Sequence, residues 1–220
     1  MSQFKVIGFD LDGTLVDSLP DLALSINQAF AEVGLPQAPE ELVLTWIGNG
    51  ADVLLARALE WSGATLDPEA IKQLKRRFGF YYGENICNKS RLFPNVKATL
   101  ETLKTQGYTL AVVTNKPSKH VQPVLAAFGI DHLFSELLGG QSLPAIKPHP
   151  APLYYLCGKF GIYPKQLLFV GDSKNDILAA HKAGCPVVGL TYGYNYNIPI
   201  SEANPDWVFD DFADILTVIN

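Results

Sequence analysis

The chain contains 220 residues, of which 48% are hydrophobic and 18% charged, which suits one large domain or two small ones with a buried core. Its formal net charge of -5 at pH 7 gives no basic surface, so neither nucleic acid nor a membrane is expected as a partner. Its three cysteines, Cys87, Cys157 and Cys185, are odd in number and far apart, which excludes a disulfide framework and a CxxC metal site.

The first predicted element is a short buried strand, Phe4–Phe9, which begins almost at the start of the chain. No charged segment followed by a long apolar stretch and a cleavage site comes before this strand. No apolar run elsewhere approaches the length needed to span a membrane. A cytoplasmic location is therefore predicted.

Two carboxylates follow this strand directly, in the segment Asp10-Leu11-Asp12-Gly13-Thr14-Leu15. Both side chains are expected to be ionised at neutral pH, because the ordinary pKa of an aspartate is about 3.9, and they therefore repel each other. A divalent cation offsets this repulsion, and the oxygen-liganded ion Mg²⁺ suits such a pair. A strand that simply ends in a polar turn is the alternative interpretation of these residues alone.

The next 70 residues contain no convincing strand pattern, and amphipathic periodicity predicts helices there. An insertion of this size is too long for a simple connection between two strands. We therefore expect an all-helical cap domain at residues 17–86, inserted into a core domain made of residues 1–16 and 87–220. The predicted cap helices are Leu19–Val33, Pro39–Trp46, Ala51–Trp61 and Pro68–Tyr82.

In the remainder of the chain, apolar runs alternate with amphipathic helical segments, which is typical of repeated βαβ units. The fold class predicted is α/β, with a Rossmann-like parallel sheet in the core domain. The strands expected are Thr109–Thr114, Ser135–Leu138 (on weaker evidence), Leu167–Val170, Pro186–Leu190 and Trp207–Phe209. The helices expected are Asn95–Gln106, Ser118–Phe128, Ala151–Phe160, Lys174–Ala183 and Phe212–Ile219.

Polar residues follow several of these strands, at the edge of the sheet where Asp10 is expected. Each group alone has an ordinary interpretation: Thr114 and Asn115 as a helix cap, Lys147 as a solvated lysine, and Asp172 and Asp176 as a cap with an acidic first turn. Ligands bind at the carboxyl ends of the strands in open α/β sheets. The recurrence of acidic, hydroxyl, amide and basic groups at this edge therefore favours a functional site.

The order and spacing of these groups resemble the haloacid dehalogenase superfamily of phosphotransferases over essentially the whole chain. The segment that begins at Asp10 is similar to its first motif, Thr114-Asn115 to the second, Lys147-Pro148 to the third and Gly171-Asp172-Ser173-Lys174-Asn175-Asp176 to the fourth. Within this superfamily, Thr45-Trp46-Ile47-Gly48-Asn49-Gly50-Ala51 and Thr191-Tyr192-Gly193-Tyr194-Asn195-Tyr196 resemble the bacterial phosphatases that hydrolyse phosphoglycolate.

The resemblance implies a Mg²⁺-dependent phosphomonoester hydrolase that works through an aspartyl-phosphate intermediate. Asp10 is implied as the nucleophile, and Asp12 as general acid and then general base. The metal ligands implied are the Asp10 carboxylate, the backbone carbonyl of Asp12 and Asp172. The phosphate-binding residues implied are Thr114, Asn115 and Lys147, with Asp176 behind them orienting Lys147 or a metal-bound water.

In the cap, Gly48, Asn49 and Gly50 precede a predicted helix and are candidate specificity residues. Exposed backbone N–H groups at a helix N-terminus can bind an anion such as the carboxylate of phosphoglycolate. A plain turn between two helices is an equally good interpretation of these three residues.

Other functions remain compatible with the sequence. A phosphomutase of the β-phosphoglucomutase type, or a phosphatase for another small phosphomonoester or pyrophosphate, could use the same catalytic residues. A signalling receiver, which also carries a phosphorylated aspartate, is an alternative of another class, although a receiver needs no cap. The expected partner is a small phosphomonoester, and the chain is expected to be a monomer or a homodimer.

Overall fold

The computed structural model describes residues 3–219, and within them a six-stranded parallel sheet forms the centre of the molecule. The strands are β1 (Val6–Phe9), β4 (Thr109–Val113), β5 (Phe134–Leu138), β6 (Leu167–Gly171), β7 (Val187–Leu190) and β8 (Trp207–Phe209). Their order in the sheet is β5-β4-β1-β6-β7-β8, with β1 between β4 and β6. This arrangement confirms the predicted Rossmann-like α/β fold.

Helices cover both faces of this sheet, because alternate residues of each buried strand point to opposite sides. The helices are α5 (Val96–Thr105), α6 (Ser118–Ala127), α7 (Ala151–Phe160), α8 (Lys174–Ala183) and α9 (Leu216–Ile219). Ile7 and Phe9 of β1 pack with α5, α6 and α9 on one face, whereas Val6 packs with α7 and α8 on the other. In residues 3–219, none of the helices has the length and apolar character required to cross a membrane.

The segment between β1 and α5 is helical, as predicted, and has an apolar cluster of its own. Leu22, Phe30, Trp46 and Phe78 are buried in this cluster, and Tyr194 from the far end of the chain joins them. The helices are α1 (Leu19–Glu32), α2 (Glu40–Val43), α3 (Ala51–Ser62) and α4 (Pro68–Glu84). Because all the other residues of this cluster belong to the helical segment, the cluster supports the expectation that residues 17–86 form a cap domain, whose boundaries remain a prediction.

Two short strands that the sequence did not indicate join the helical segment to the sheet. β2 (Val16–Asp17) pairs antiparallel with β3 (Arg91–Leu92), so the outgoing and returning chains lie side by side. The buried carboxylate of Asp21 accepts hydrogen bonds from the Lys89 N–H at 2.8 Å and from the Ser90 hydroxyl at 2.6 Å. Strands of two residues carry too few side chains for an alternation pattern, which explains why periodicity missed them.

Two predicted helices are only partly α-helical. The segment predicted as Pro39–Trp46 consists of α2 followed by a 3₁₀ turn at Leu44–Trp46. The last predicted helix, Phe212–Ile219, begins as a 3₁₀ turn at Phe212–Ile215 and becomes α-helical in α9. Apolar spacing does not separate these two helix types over a few residues, because their side-chain periods of 3.0 and 3.6 are close.

Candidate active site

The strand order brings the predicted site residues to one edge of the sheet. Phe9, the last residue of β1, lies beside Val112 of β4 and Val170 of β6 in the parallel register. The residues that follow these three strands therefore emerge together, and they include Asp10, Thr114 and Asp172. This edge is where open α/β sheets bind their ligands.

Lys147 lies between two of the predicted acidic residues and is almost completely buried. Its Nζ is 2.9 Å from Asp10 Oδ1 and 2.6 Å from Asp176 Oδ1. The contact with Asp10 is an ion pair, and within residues 3–219 no aligned hydrogen-bond donor reaches the buried Asp10 Oδ1. The other Asp176 oxygen accepts from the Ser173 N–H at 3.0 Å and from the Ser173 hydroxyl at 2.7 Å. Asp176 thus makes the contact with Lys147 that its predicted orienting role requires.

Asp10, Asp172 and Asp176 form a buried cluster in which one carboxylate oxygen of each lies within 4.8 Å of the other two. When these three carboxylates are ionised, Lys147 balances only one charge and two negative charges remain uncompensated. A divalent cation matches this deficit, and carboxylate oxygens are the ligands that hard cations prefer.

The pKa values of Asp10 and Asp172 are both raised, chiefly by burial. Burial raises the pKa of Asp10 to about 6, although the Lys147 ammonium acts in the opposite direction. Burial also raises the pKa of Asp172 well above its ordinary value, and the neighbouring carboxylates of Asp176 and Asp10 add to this effect. Without a cation, these groups therefore retain protons to a higher pH than ordinary aspartates.

Asp172 is held in place by the loops that surround it. The Thr14 hydroxyl donates to Asp172 Oδ1 at 2.6 Å, and the Tyr194 N–H donates to Oδ2 at 2.6 Å. Gly13 has a φ of +93°, and a Cβ atom there would lie 2.3 Å from Asp172 Oδ2. Only glycine therefore allows the first loop to approach this carboxylate so closely.

The Asp12 side chain is not part of the three-carboxylate cluster and pairs with Lys116. Lys116 Nζ donates to both Asp12 oxygens, at 2.8 and 3.0 Å, and it also lies 4.6 Å from the ring centroid of Tyr82 in the cap. The metal ligand predicted at Asp12 is its backbone carbonyl, which this side-chain pairing leaves available. Sequence reasoning missed Lys116, although its place directly after Thr114-Asn115 at a strand end was a usable signal.

The second predicted motif divides into two different roles. Thr114 lines the cavity above the cluster, and its hydroxyl accepts from the Lys116 N–H at 3.2 Å. Both N–H bonds of the Asn115 amide are occupied, by the carbonyls of Gly48 at 2.9 Å and Lys147 at 2.8 Å. The side-chain donors of Asn115 are therefore used in protein contacts, and phosphate binding by Asn115 stays a prediction. A phosphate contact from Asn115 would have to come from its backbone N–H.

A cavity of about 500 Å³ lies between the sheet edge and the helical cap. Asp10 and Asp12 line its floor, and the predicted specificity residues Gly48, Asn49 and Gly50 line it from the cap. Gly50 immediately precedes the 12-residue helix α3, so the first N–H groups of that helix begin beside the cavity. The structure thus brings the cap loop and the carboxylates together around one space.

Comparisons with known proteins agree with this architecture. The chain matches the model of the haloacid dehalogenase-like hydrolase family over residues 7–190. The phosphoglycolate phosphatase of Pasteurella multocida is 82% identical over 223 residues, covering 100% of both proteins, and that of Yersinia pestis is 51% identical, covering 100% of this chain and 96% of the relative. The crystal structure of a predicted phosphoglycolate phosphatase from Haemophilus somnus 129pt has a TM-score of 0.98 and 74% identity, with full coverage of both chains. The chain, with its acidic cluster at the carboxyl edge of a parallel sheet, belongs to the haloacid dehalogenase-like hydrolase family.

Proposed function

We propose that this enzyme hydrolyses 2-phosphoglycolate to glycolate and phosphate and that it requires Mg²⁺. The observation that carries the proposal is the buried cluster of Asp10, Asp172 and Asp176 around Lys147, in which Asp10 also lines the cavity. Phosphoglycolate is favoured as the substrate because the similar proteins are phosphoglycolate phosphatases. Its phosphate and carboxylate also suit a cavity that polar groups line from the core, at Asp10 and Thr114, and from the cap, at Asn49.

In the proposed reaction, an Asp10 oxygen attacks phosphorus and the bond between phosphorus and the glycolate oxygen breaks. Asp12 gives its proton to the departing glycolate oxygen, which leaves as a neutral hydroxyl. A water molecule then attacks phosphorus while Asp12 accepts one of its protons, which releases phosphate, frees the Asp10 carboxylate and returns Asp12 to its protonated form. Asp12 lies two residues from Asp10 on the same loop, so it is suited to serve both steps.

Charge compensation comes from the residues around Asp10. Lys147 neutralises part of the charge where the anionic phosphoryl group meets the Asp10 carboxylate, and the Thr114 hydroxyl can orient a phosphoryl oxygen. Asp10, the Asp12 carbonyl and Asp172 would hold Mg²⁺, with Asp176 close enough to contribute. When bound, Mg²⁺ supplies positive charge that reduces the repulsion between the nucleophile and the phosphate.

The cap completes the site in this proposal. Residues 17–86 act as a lid that closes over the substrate and excludes bulk water. The N–H groups at the start of α3, next to Gly50, bind the carboxylate of phosphoglycolate. If Gly48–Gly50 are instead a turn without a ligand, we expect no preference for substrates that carry a carboxylate in addition to the phosphate.

We expect Mg²⁺ to stabilise the protein much more at about pH 7.5 than at about pH 5, because protons and cation compete for the same carboxylates. The pKa of Asp10 is raised from 3.8 to about 6, so the metal-free folded protein holds a proton that the unfolded chain releases between these values. The contribution of protonated Asp10 to the stability of the metal-free protein is therefore lost as the pH rises through this range. Cation binding offsets this loss. Thermal unfolding with and without Mg²⁺ at both pH values tests this expectation. An equal shift in Tm at both pH values contradicts it, and Asp10→Asn should weaken the pH dependence.

A phosphate-release assay over a panel of phosphomonoesters with Mg²⁺ tests the substrate. We expect kcat/KM for 2-phosphoglycolate to exceed that for 3-phosphoglycerate, hexose phosphates, pyrophosphate and aryl phosphates by about tenfold or more. Higher kcat/KM for another panel member would contradict the proposed substrate while leaving hydrolysis intact. With β-glucose 1-phosphate, an isomerised sugar phosphate without stoichiometric phosphate release would favour the mutase alternative.

A signalling receiver is contradicted by the hydrolase family to which residues 7–190 belong. The cytoplasmic location and the monomeric or homodimeric state remain predictions from the sequence, which fractionation of cells and a solution mass measurement would test.

A further inference from the structure

The segment that follows β7 places the side chain of Tyr196 against the cap loop. The Tyr196 hydroxyl donates to Asn49 Oδ1 at 2.6 Å and accepts from Asn175 Nδ2 at 3.2 Å. Arg57 Nη2 donates to the same Asn49 oxygen at 3.1 Å, and its guanidinium carbon lies 5.2 Å from the centroid of the Tyr196 ring. One core tyrosine thus touches the cap through both its hydroxyl and its ring.

The carbonyl of Gly48 makes a second contact between cap and core. It accepts from Asn115 Nδ2 at 2.9 Å and from Asn175 Nδ2 at 3.2 Å. Asn115 also donates to the Lys147 carbonyl and accepts from the Lys147 N–H, at 2.8 and 3.0 Å. The amide that holds the cap loop therefore also holds the backbone of the lysine beside the nucleophile.

Backbone geometry indicates that this contact is specifically built. Tyr196 has a φ of +54°, a left-handed conformation that is unfavourable for a residue with a side chain. Gly48 has a φ of +108°, and a Cβ atom there would lie 3.2 Å from the Tyr196 hydroxyl. Two strained or side-chain-free positions thus meet where the cap loop approaches the core.

We infer that Tyr196, Asn115 and Asn175 are positioning residues that latch the cap loop Gly48–Asn49 over the catalytic carboxylates. The three core side chains and these two loop residues are called the cap latch below. The latch sets the equilibrium between open and closed cap, and through Asn115 it links the closed cap to the position of Lys147. This inference deepens the proposed function and rests on it for its kinetic test.

The latch predicts a particular kinetic signature. If closure follows substrate binding and strongly favours the closed complex, weaker closure raises KM while kcat is little affected. A residue that acted on the chemical step alone would instead lower kcat without changing KM. Loss of one hydrogen bond to the cap loop through Tyr196→Phe should raise KM for 2-phosphoglycolate about fivefold.

The test compares Tyr196→Phe with Tyr154→Phe as a matched control. Tyr154 lies on α7, and its hydroxyl donates to the Lys182 carbonyl at 2.9 Å, so the control also loses one such bond, within the core. We expect the raised KM only in Tyr196→Phe, together with faster amide hydrogen exchange at residues 47–57 in the substrate-free protein. Unchanged KM and unchanged exchange would overturn the inference, as would a lower kcat with KM and exchange unaltered.

A double-mutant cycle with Asn49→Ala checks that the effect passes through the latch. Because Asn49→Ala removes the acceptor of the Tyr196 hydroxyl, adding Tyr196→Phe to this variant should raise KM by less than it does in the parent protein. Additive effects would overturn the inference. If the enzyme does not use phosphoglycolate at all, the exchange measurement still decides on the latch, so the failure of the substrate proposal and the failure of the latch are distinguishable.

Discussion

Replacing Asp10 with asparagine should lower kcat by about 10⁴-fold or more and leave the fold intact. The amide has nearly the same shape as the carboxylate but lacks the nucleophilic oxygen. Because burial raises the pKa of Asp10 to about 6, the carboxylate is costly to ionise where it lies. The metal-free variant should therefore have a Tm at neutral pH that is no lower than that of the parent protein.

The location of the covalent intermediate tests the same residue directly. After rapid acid quenching with 2-phosphoglycolate, mass spectrometry of the parent protein should place the phosphoryl group on the peptide that contains Asp10. Asp214→Asn is a suitable control, since Asp214 is an exposed carboxylate at the opposite end of the chain and should retain full activity. Phosphorylation elsewhere, or ordinary turnover by Asp10→Asn, would show that Asp10 is not the nucleophile.

Replacing Lys116 with methionine should lower kcat for 2-phosphoglycolate by about 10²-fold with little change in KM. Lys116 Nζ donates to both Asp12 oxygens and is the ion-pair partner of that carboxylate. Without the ammonium, the carboxylate loses the contact that fixes its orientation toward the leaving oxygen. The Tyr82 ring, which lies over Lys116, links this pair to the cap.

The leaving group distinguishes a positioning role of Lys116 from general damage. An aryl phosphate such as p-nitrophenyl phosphate expels a stable phenolate that needs no proton, so the first step should tolerate a misplaced Asp12. We expect Lys116→Met to show a burst of nitrophenol followed by slow turnover, because Asp12 must still act as base on the second step. Equal losses in the burst phase with both substrates would contradict the positioning role, and Lys116→Arg should restore part of the activity.

Much of the catalytic edge followed from local sequence patterns. Apolar runs identify strands of a parallel sheet, and Asp10, Thr114 and Asp172 come directly after three of these strands. The topology of such sheets places the carboxyl ends of the strands together. These conclusions need only periodicity and connection rules, which act over short stretches of chain.

The side-chain partners depended on the tertiary structure. The amide of Asn115 donates to the carbonyls of Gly48 and Lys147, which only the fold brings next to it. Lys116 acquired its meaning only when Asp12, 104 residues away, was seen to be its partner. In the same way, Tyr196 and Asn49 are 147 residues apart and meet only because the cap packs on the core.

The sequence by itself therefore determined the class of fold, the inserted helical segment and the set of acidic and basic groups at the sheet edge, because each is encoded by local pattern and strand order. Only the tertiary structure decided which donor meets which acceptor across the cavity. The physical reason is that a hydrogen bond or ion pair is lost when its donor and acceptor move apart by a few tenths of an ångström. Their separation is set by how two separately packed units come together.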